Sequence, residues 1–136
     1  MIKPIMKSEF FLRLPSEDAG PDDAATGQDL LDTLHEHEHE CVGLAANMIG
    51  VRKRIICVKD GNRALLMYNP QILEQVNAYQ TSEGCLSLAG ERPCTRYRRI
   101  KVEYLDENFV RRIKNFSGYT AEIIQHEIDH CNGIVI

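Results

Sequence analysis

The chain is predicted to fold as one α+β domain over residues 1–136, and three features of the sequence point there. A helical period occupies the region before residue 41, short β-rich segments separated by turn signals fill the middle, and a helical period returns over residues 117–133. Apolar residues make up 43% and charged residues 26%, which gives a chain of this size its own core.

Bulk properties exclude several classes. The net charge is -4 with a pI near 5.7, so the basic footprint needed to bind a phosphate backbone is missing and no direct nucleic-acid partner is expected. The longest mostly apolar run, Cys41 to Val51, contains Gly43, Asn47 and Gly50 and falls short of the ~20 residues of a membrane helix, so no membrane partner is expected. Lys3, Pro4 and Lys7 interrupt the segment that a signal peptide would keep apolar. Five widely spaced cysteines, an odd number, fit a reducing cytoplasm, and Cys57 within RIICVKD reads as a small buried hydrophobe.

Taken in order, PDDAATG (21–27) reads as a loop or helix start, with Asp22, Asp23 or Thr26 as caps. The helix that follows places Leu30, Leu31, Leu34 and Cys41 on one apolar stripe and Asp32, Glu36 and His39 off it. It runs into CVGLAANMIGV, where Gly43 and Gly50 bracket a turn of small residues. ICVK, ALLMYNP, ILEQVNAY, RRIKVEYLD and FVRRIKNF then read as strands, the last two as a hairpin, divided by signals such as Asp60-Gly61-Asn62 and Asp106-Glu107-Asn108. Pro70 cannot donate to a ladder and is expected at a strand edge or start. Residues 117–133 are helical again: Ser117 or Gly118 starts the run, Ile124, Ile128 and Cys131 line one face, and Asn132-Gly133 supplies a left-handed stop.

The pattern HExxH occurs twice, at His35–His39 and at His126–His130. In LHEHEHEC polar residues surround the helix, and a solvated face is expected. In QHEIDHCNG the histidines share a face with Ile123 while Ile124 and Ile128 pack on another, so an ion or a polar network must satisfy buried imidazoles. Two histidines four apart are half a catalytic metal site, which usually takes three protein ligands and leaves a position for water. Six residues follow His130 and none is histidine or glutamate, so the third ligand is expected upstream, as a carboxylate or a thiolate near EGCLSL (83–88).

Three segments in order, CVGLAANMIG (41–50), EGCLSL (83–88) and QHEIDHCNG (125–133), resemble the motifs of the peptide deformylases over a stretch from about residue 29 onward. The resemblance implies short, mostly antiparallel strands packed around the HExxH helix. It also implies that Cys85 joins His126 and His130 as metal ligands, and that the enzyme removes the formyl group from the N-terminal formylmethionine of nascent chains, releasing formate. The implied cofactor is one divalent ion, Fe2+ first, with Zn2+, Ni2+ or Co2+ as substitutes. One thiolate and two neutral imidazoles leave such an ion a net positive charge, enough to acidify a bound water. Glu127 is then the general base and acid, and the backbone N–H of Leu86 the oxyanion donor. Gln125 and Asp129 are expected to orient the ligands, with an ordinary arginine pair as the other reading for Asp129.

For the substrate, the resemblance implies a peptide added as a strand along Val42 and Gly43, with Arg92 nearby. Tyr119 and Ile123, upstream of His126 at helical spacing, are candidates for the wall of the methionine pocket, core packing being their alternative. The implied partners are N-formylmethionyl nascent peptides, with transient ribosome association. No extended basic tail follows the last helix, so docking through such a tail is not expected.

Two positions depart from the family pattern G-x-G-L-A-A-x-Q. Met48 replaces the glutamine that would be a second donor to the formyl oxygen, and a thioether donates nothing. Loss of one such donor typically lowers turnover ~100 to 1000-fold. Cys41 replaces the first glycine, where a side chain narrows the approach to the peptide groove. Two outcomes follow: a working enzyme whose second donor is a water or a neighbour such as Asn47, or a weakly active or non-catalytic relative that binds metal or peptide.

Overall fold

A computed structural model describes residues 1–136. A one-turn helix, α1 (Glu9–Leu12), is capped by Ser8, whose Oγ accepts from the Phe11 N–H at 3.2 Å. A 3-10 turn at Pro21–Asp23 leads into α2 (Ala24–Glu36), so the helix start lies within PDDAATG as expected. Leu30 and Leu34 of α2 are fully buried. The helix ends at Glu36, however, and Cys41 is not on its stripe. The His37 N–H closes on the Thr33 and Leu34 carbonyls, both at 3.2 Å, and the Cys41 N–H on the His37 carbonyl at 2.9 Å. The physical reason is composition: residues 35–40 alternate histidine and glutamate and offer no apolar side chain whose burial would extend the helix.

Five strands form one antiparallel sheet in chain order: β1 (Gly43–Ala45), β2 (Ile55–Asp60), β3 (Arg63–Gly84), β4 (Glu91–Leu105) and β5 (Arg111–Ser117). The expected strands are present, but ALLMYNP and ILEQVNAY merge into the 22-residue β3. Pro70 therefore lies inside a strand, not at its edge or start. The ladder accommodates it by a register shift between Tyr68 and Gln71, the bulge being the other setting in which a strand tolerates proline. Asn69 adopts φ 53 there, and its amide is anchored to Ala19 by two bonds, at 2.7 and 2.9 Å. RRIKVEYLD and FVRRIKNF pair as the anticipated β4–β5 hairpin, with Ile100 opposite Phe116. The polar first half of β4, paired with the polar end of β3, carries no hydrophobic alternation and was not foreseen.

The closing helix, α3 (Gly118–Cys131), packs on β1, β2 and β4, while α2 packs on β1, β2 and β3. Ile124, Ile128 and Cys131 are buried as a line, and Gly133 ends the helix at φ 73, as the sequence predicts. Cys57 is fully buried in β2. At Gly27 a methyl group would stand 2.1 Å from the Tyr68 hydroxyl, which shows how closely α2 approaches β3. No helix is long and apolar enough to cross a membrane.

Candidate active site

The last turns of α3 present His126 and His130 on one face, with ring centroids 5.1 Å apart. Facing them is the loop that leaves β3. Because Gly84 pairs with Glu91, residues 85–90 form a closed turn that carries Cys85 over the helix. The Cys85 Sγ stands 3.3 Å from the His130 Nε2. Cys85, His126 and His130 each offer one ligand atom within 4.8 Å of the others, the sole group of three or more potential metal ligands in the chain that converges in this way. A tetrahedral ion with bonds of ~2.3 Å to sulfur and ~2.0–2.1 Å to nitrogen needs a sulfur–nitrogen separation of about 3.6 Å, so the residues fit a metal with a small adjustment. One buried polar atom beside this group, Glu127 Oε1, lacks any hydrogen-bond partner within the chain, as expected where something further is to be bound.

The other HExxH assembles nothing. His35 lies at the end of α2 while His39 lies beyond it and is 94% exposed, so the pair does not share a helix face. Glu38, His39 and Glu40 instead border the mouth of the cleft.

A buried ionic chain holds the ligands. His126 Nδ1 donates to Glu83 Oε1 at 2.8 Å, which leaves Nε2 of that ring to face the thiol. Arg96 donates to Glu83 through Nε at 3.0 and 3.1 Å and through Nη2 at 2.8 Å, and through Nη1 to Asp129 Oδ2 at 2.7 Å. Glu83 and Arg96 were not identified from the sequence, although Glu83 stood inside the EGCLSL segment. Asp129 thus forms the arginine pair and acts on His126 only through Arg96 and Glu83. Gln125 orients no ligand; its amide bonds the main chain of Tyr97 at 2.8 and 2.9 Å and pins α3 to β4.

The titration of these groups follows from their burial and partners. Burial would raise the Glu83 carboxyl, but the hydrogen bonds from His126 and Arg96 prevail and hold it well below the usual carboxylate range. Burial would lower His126, but its bonds to Cys85 and Glu83 raise it to about 10. His130 is pushed down to about 3 by burial, then by the positive charges of His126 and Arg96. Burial pushes the Glu127 carboxyl up to about 7, opposed by His126.

The site opens into a cleft of about 840 Å³. Glu127, Cys85, Leu86, Gly43, Met48 and Ile123 all border it. The Leu86 N–H makes no hydrogen bond within the chain, and its carbonyl accepts from Lys7 Nζ at 2.8 Å. Of the two main-chain positions expected to hold a peptide, Val42 has its carbonyl taken by the Lys59 N–H at 2.8 Å. Successive residues of an antiparallel strand point their main-chain groups to opposite edges, so Gly43 is the one directed away from β2. A methyl group at Gly43 would lie 2.6 Å from Ile123 Cγ2 and 2.9 Å from Glu127 Oε2, which explains the glycine. Cys41 borders the cleft and donates through its thiol to the Gly43 carbonyl at 3.6 Å, while burial and the Glu127 charge push that thiol up to about 12.

Met48 is buried, and its sulfur accepts from the Ala45 N–H at 3.5 Å, so it donates nothing to the cleft. Asn47 does not substitute for it. Its amide nitrogen is spent on the carbonyls of His130 at 2.9 Å and Leu12 at 3.5 Å. Ile123 forms a buried wall, whereas Tyr119, 65% exposed, stands at the rim. Arg92 is not among the lining residues; it faces Glu9 of α1 at 3.7 Å.

Comparison with known proteins adds an independent line. The family model described as polypeptide deformylase matches residues 6–136, a longer stretch than the motifs alone suggest. The peptide deformylase of Clostridium beijerinckii is 52% identical over 136 residues, all of both chains. The crystal structure of peptide deformylase from Thermotoga maritima superposes with a TM-score of 0.89 at 28% identity, covering 99% of this chain and 95% of that one. The Met-Ala-Ser-bound class I type b enzyme from Acinetobacter baumannii gives 0.87 at 28% identity, with 99% and 96% coverage. These likenesses do not favour a non-catalytic relative. The convergence of a loop cysteine with an HExxH pair beside a free backbone N–H, on a chain alike end to end, has one reading: the protein belongs to the peptide deformylase family.

Proposed function

We propose that this metal-dependent hydrolase takes N-formylmethionyl peptides as substrate, with Cys85, His126 and His130 holding the metal and Glu127 transferring the proton. The observation that carries this reading is the convergence of three ligand atoms within 4.8 Å on the wall of the cleft that Glu127 also borders. A divalent ion bound there supplies Lewis acidity and an activated water. Ferrous iron is the proposed native ion, since one sulfur and two nitrogen donors suit iron as well as zinc, nickel or cobalt and availability decides among them. Glu127, raised to about 7 by burial, sits near the pH at which a proton is both accepted and returned, first from water and then to the leaving amine. Leu86 directs its N–H at the carbonyl oxygen as negative charge develops.

The peptide is proposed to extend along the open edge of β1 through Gly43, with the methionine side chain against Ile123 and Tyr119 closing the rim. The Met-Ala-Ser complex of the Acinetobacter baumannii relative supports that substrate class. Five unpaired cysteines, one of them a proposed ligand, suit a reducing cytoplasm as the place of reaction. The test is formate release from formyl-Met-Ala-Ser by anaerobically purified, iron-loaded protein. Turnover well above that of Glu127→Ala is expected, and turnover equal to it refutes the proposal.

A further inference from the structure

We infer that Lys7 is a positioning residue for the Cys85 sulfur, acting through a single peptide group. The inference rests on the reading of Cys85 as a metal ligand. Lys7 Nζ donates to the Leu86 carbonyl at 2.8 Å, and the Ser87 N–H donates to Cys85 Sγ at 3.4 Å. That carbonyl and that N–H are the two ends of one planar, conjugated peptide unit. A cation on the oxygen draws electron density from the nitrogen and makes its N–H a better donor. The chain ammonium, carbonyl, N–H, sulfur is therefore cooperative, each bond polarising the next.

The ammonium is held for this role. The N-terminal arm is tied down where the Lys3 N–H donates to Thr33 Oγ1 at 2.9 Å and the Met6 N–H to the Met48 carbonyl at 2.7 Å. Lys7 makes no ion pair, so its charge is not cancelled by a carboxylate. It is also the one lysine or arginine bordering a cleft that carries Glu38, Glu40, Glu83, Glu122 and Glu127. Ser87 is buried, so the receiving end of the relay is shielded from water while the donating end is reached from the surface. A thiolate that receives a stronger hydrogen bond gives less charge to a bound ion, which leaves that ion the stronger Lewis acid.

Cobalt(II) loading reads this out directly, because sulfur bound to cobalt gives a charge-transfer band in the near ultraviolet. Wild type, Lys7→Met and Lys7→Arg are compared by that band and by cobalt affinity in chelator competition. Lys7→Met is expected to move the band to longer wavelength, as a more strongly donating thiolate does, and to weaken cobalt binding about 10-fold, the lower end of the range for lost ligand-supporting bonds, the loss of positioning outweighing the gain in sulfur donation. Lys7→Arg is expected to retain both wild-type values. Identical bands and affinities in wild type and Lys7→Met overturn the relay alone. Equal shifts in Lys7→Met and Lys7→Arg also overturn it, since a displaced arm then explains the change. Absence of any sulfur band in the wild type overturns instead the reading of Cys85 as a ligand, and the relay with it.

Discussion

Glu127→Gln should stabilise the metal-free protein, and by an amount that grows with pH. Glu127 is 4% exposed, one of its oxygens has no partner, and burial raises its carboxyl from 4.5 to about 7. The native state thus keeps the Glu127 proton to higher pH than the unfolded chain does. Stability from this group is complete below the unfolded value and is lost as pH rises through the native one. Between pH 5 and pH 8 the loss amounts to about 2.5 kcal/mol, from ~1.36 kcal/mol per unit of displacement integrated over that window. Glutamine does not ionise, and the other titrating groups are common to both proteins. His126, raised to about 10, keeps its proton in both across the window. Urea unfolding in the presence of chelator, at pH 5 and at pH 8, should show the stability difference between variant and wild type widening by about 2.5 kcal/mol, with formate release abolished in the loaded variant. A difference constant to within ~0.5 kcal/mol across that range would refute the claim that the base is kept poised by desolvation.

Met48→Gln should raise kcat at least ~10-fold with KM unchanged, because the glutamine oxygen can take over the Ala45 N–H while its amide supplies the missing oxyanion donor; an unchanged kcat would mean that another group already fills that role. Gly43→Ala should lower kcat about 100-fold with metal content unaltered, since its methyl would displace Glu127 Oε2 from 2.9 Å and a shift of ~1 Å at a reacting group carries a loss of that size. Arg96→Met should destabilise the fold by about 3–5 kcal/mol in urea unfolding, leaving Asp129 without a partner and the buried Glu83 with His126 alone. Metal binding at pH 8 should release at least one proton, the one His126 holds up to about 10, so that calorimetric heats vary with the ionisation enthalpy of the buffer; heats independent of buffer would contradict the protonated metal-free site.

What the sequence determined is what local periodicity can encode. The run from Gly118 to Cys131 repeats every three to four residues, so its buried line, its left-handed stop at Gly133 and the stacking of His126 above His130 were all legible. Turn chemistry around Asp60 and Asp106 likewise marked where strands end, and the pair flanking Asp106 is the hairpin read from the sequence. The same local rules misjudged Asn69-Pro70, where a bulge absorbed the proline and let one strand continue, and the reach of the first helix, which stopped at Glu36 rather than running on to Cys41, while His35 and His39 are solvated as read.

Tertiary structure alone decided which distant groups meet. Cys85 reaches His130 across 45 residues of chain, Glu83 reaches His126 across 43, and Arg96 reaches Asp129 across 33. Motif resemblance named the cysteine beforehand, but nothing in the sequence announced Glu83 and Arg96 as the pair that fixes an imidazole. Those two sit in half-polar stretches of β3 and β4 whose residues look solvated until strand register turns them inward over α3. A pattern of side chains reports which face is apolar, whereas the partner of a buried charge depends on register and helix placement, which only the folded chain sets.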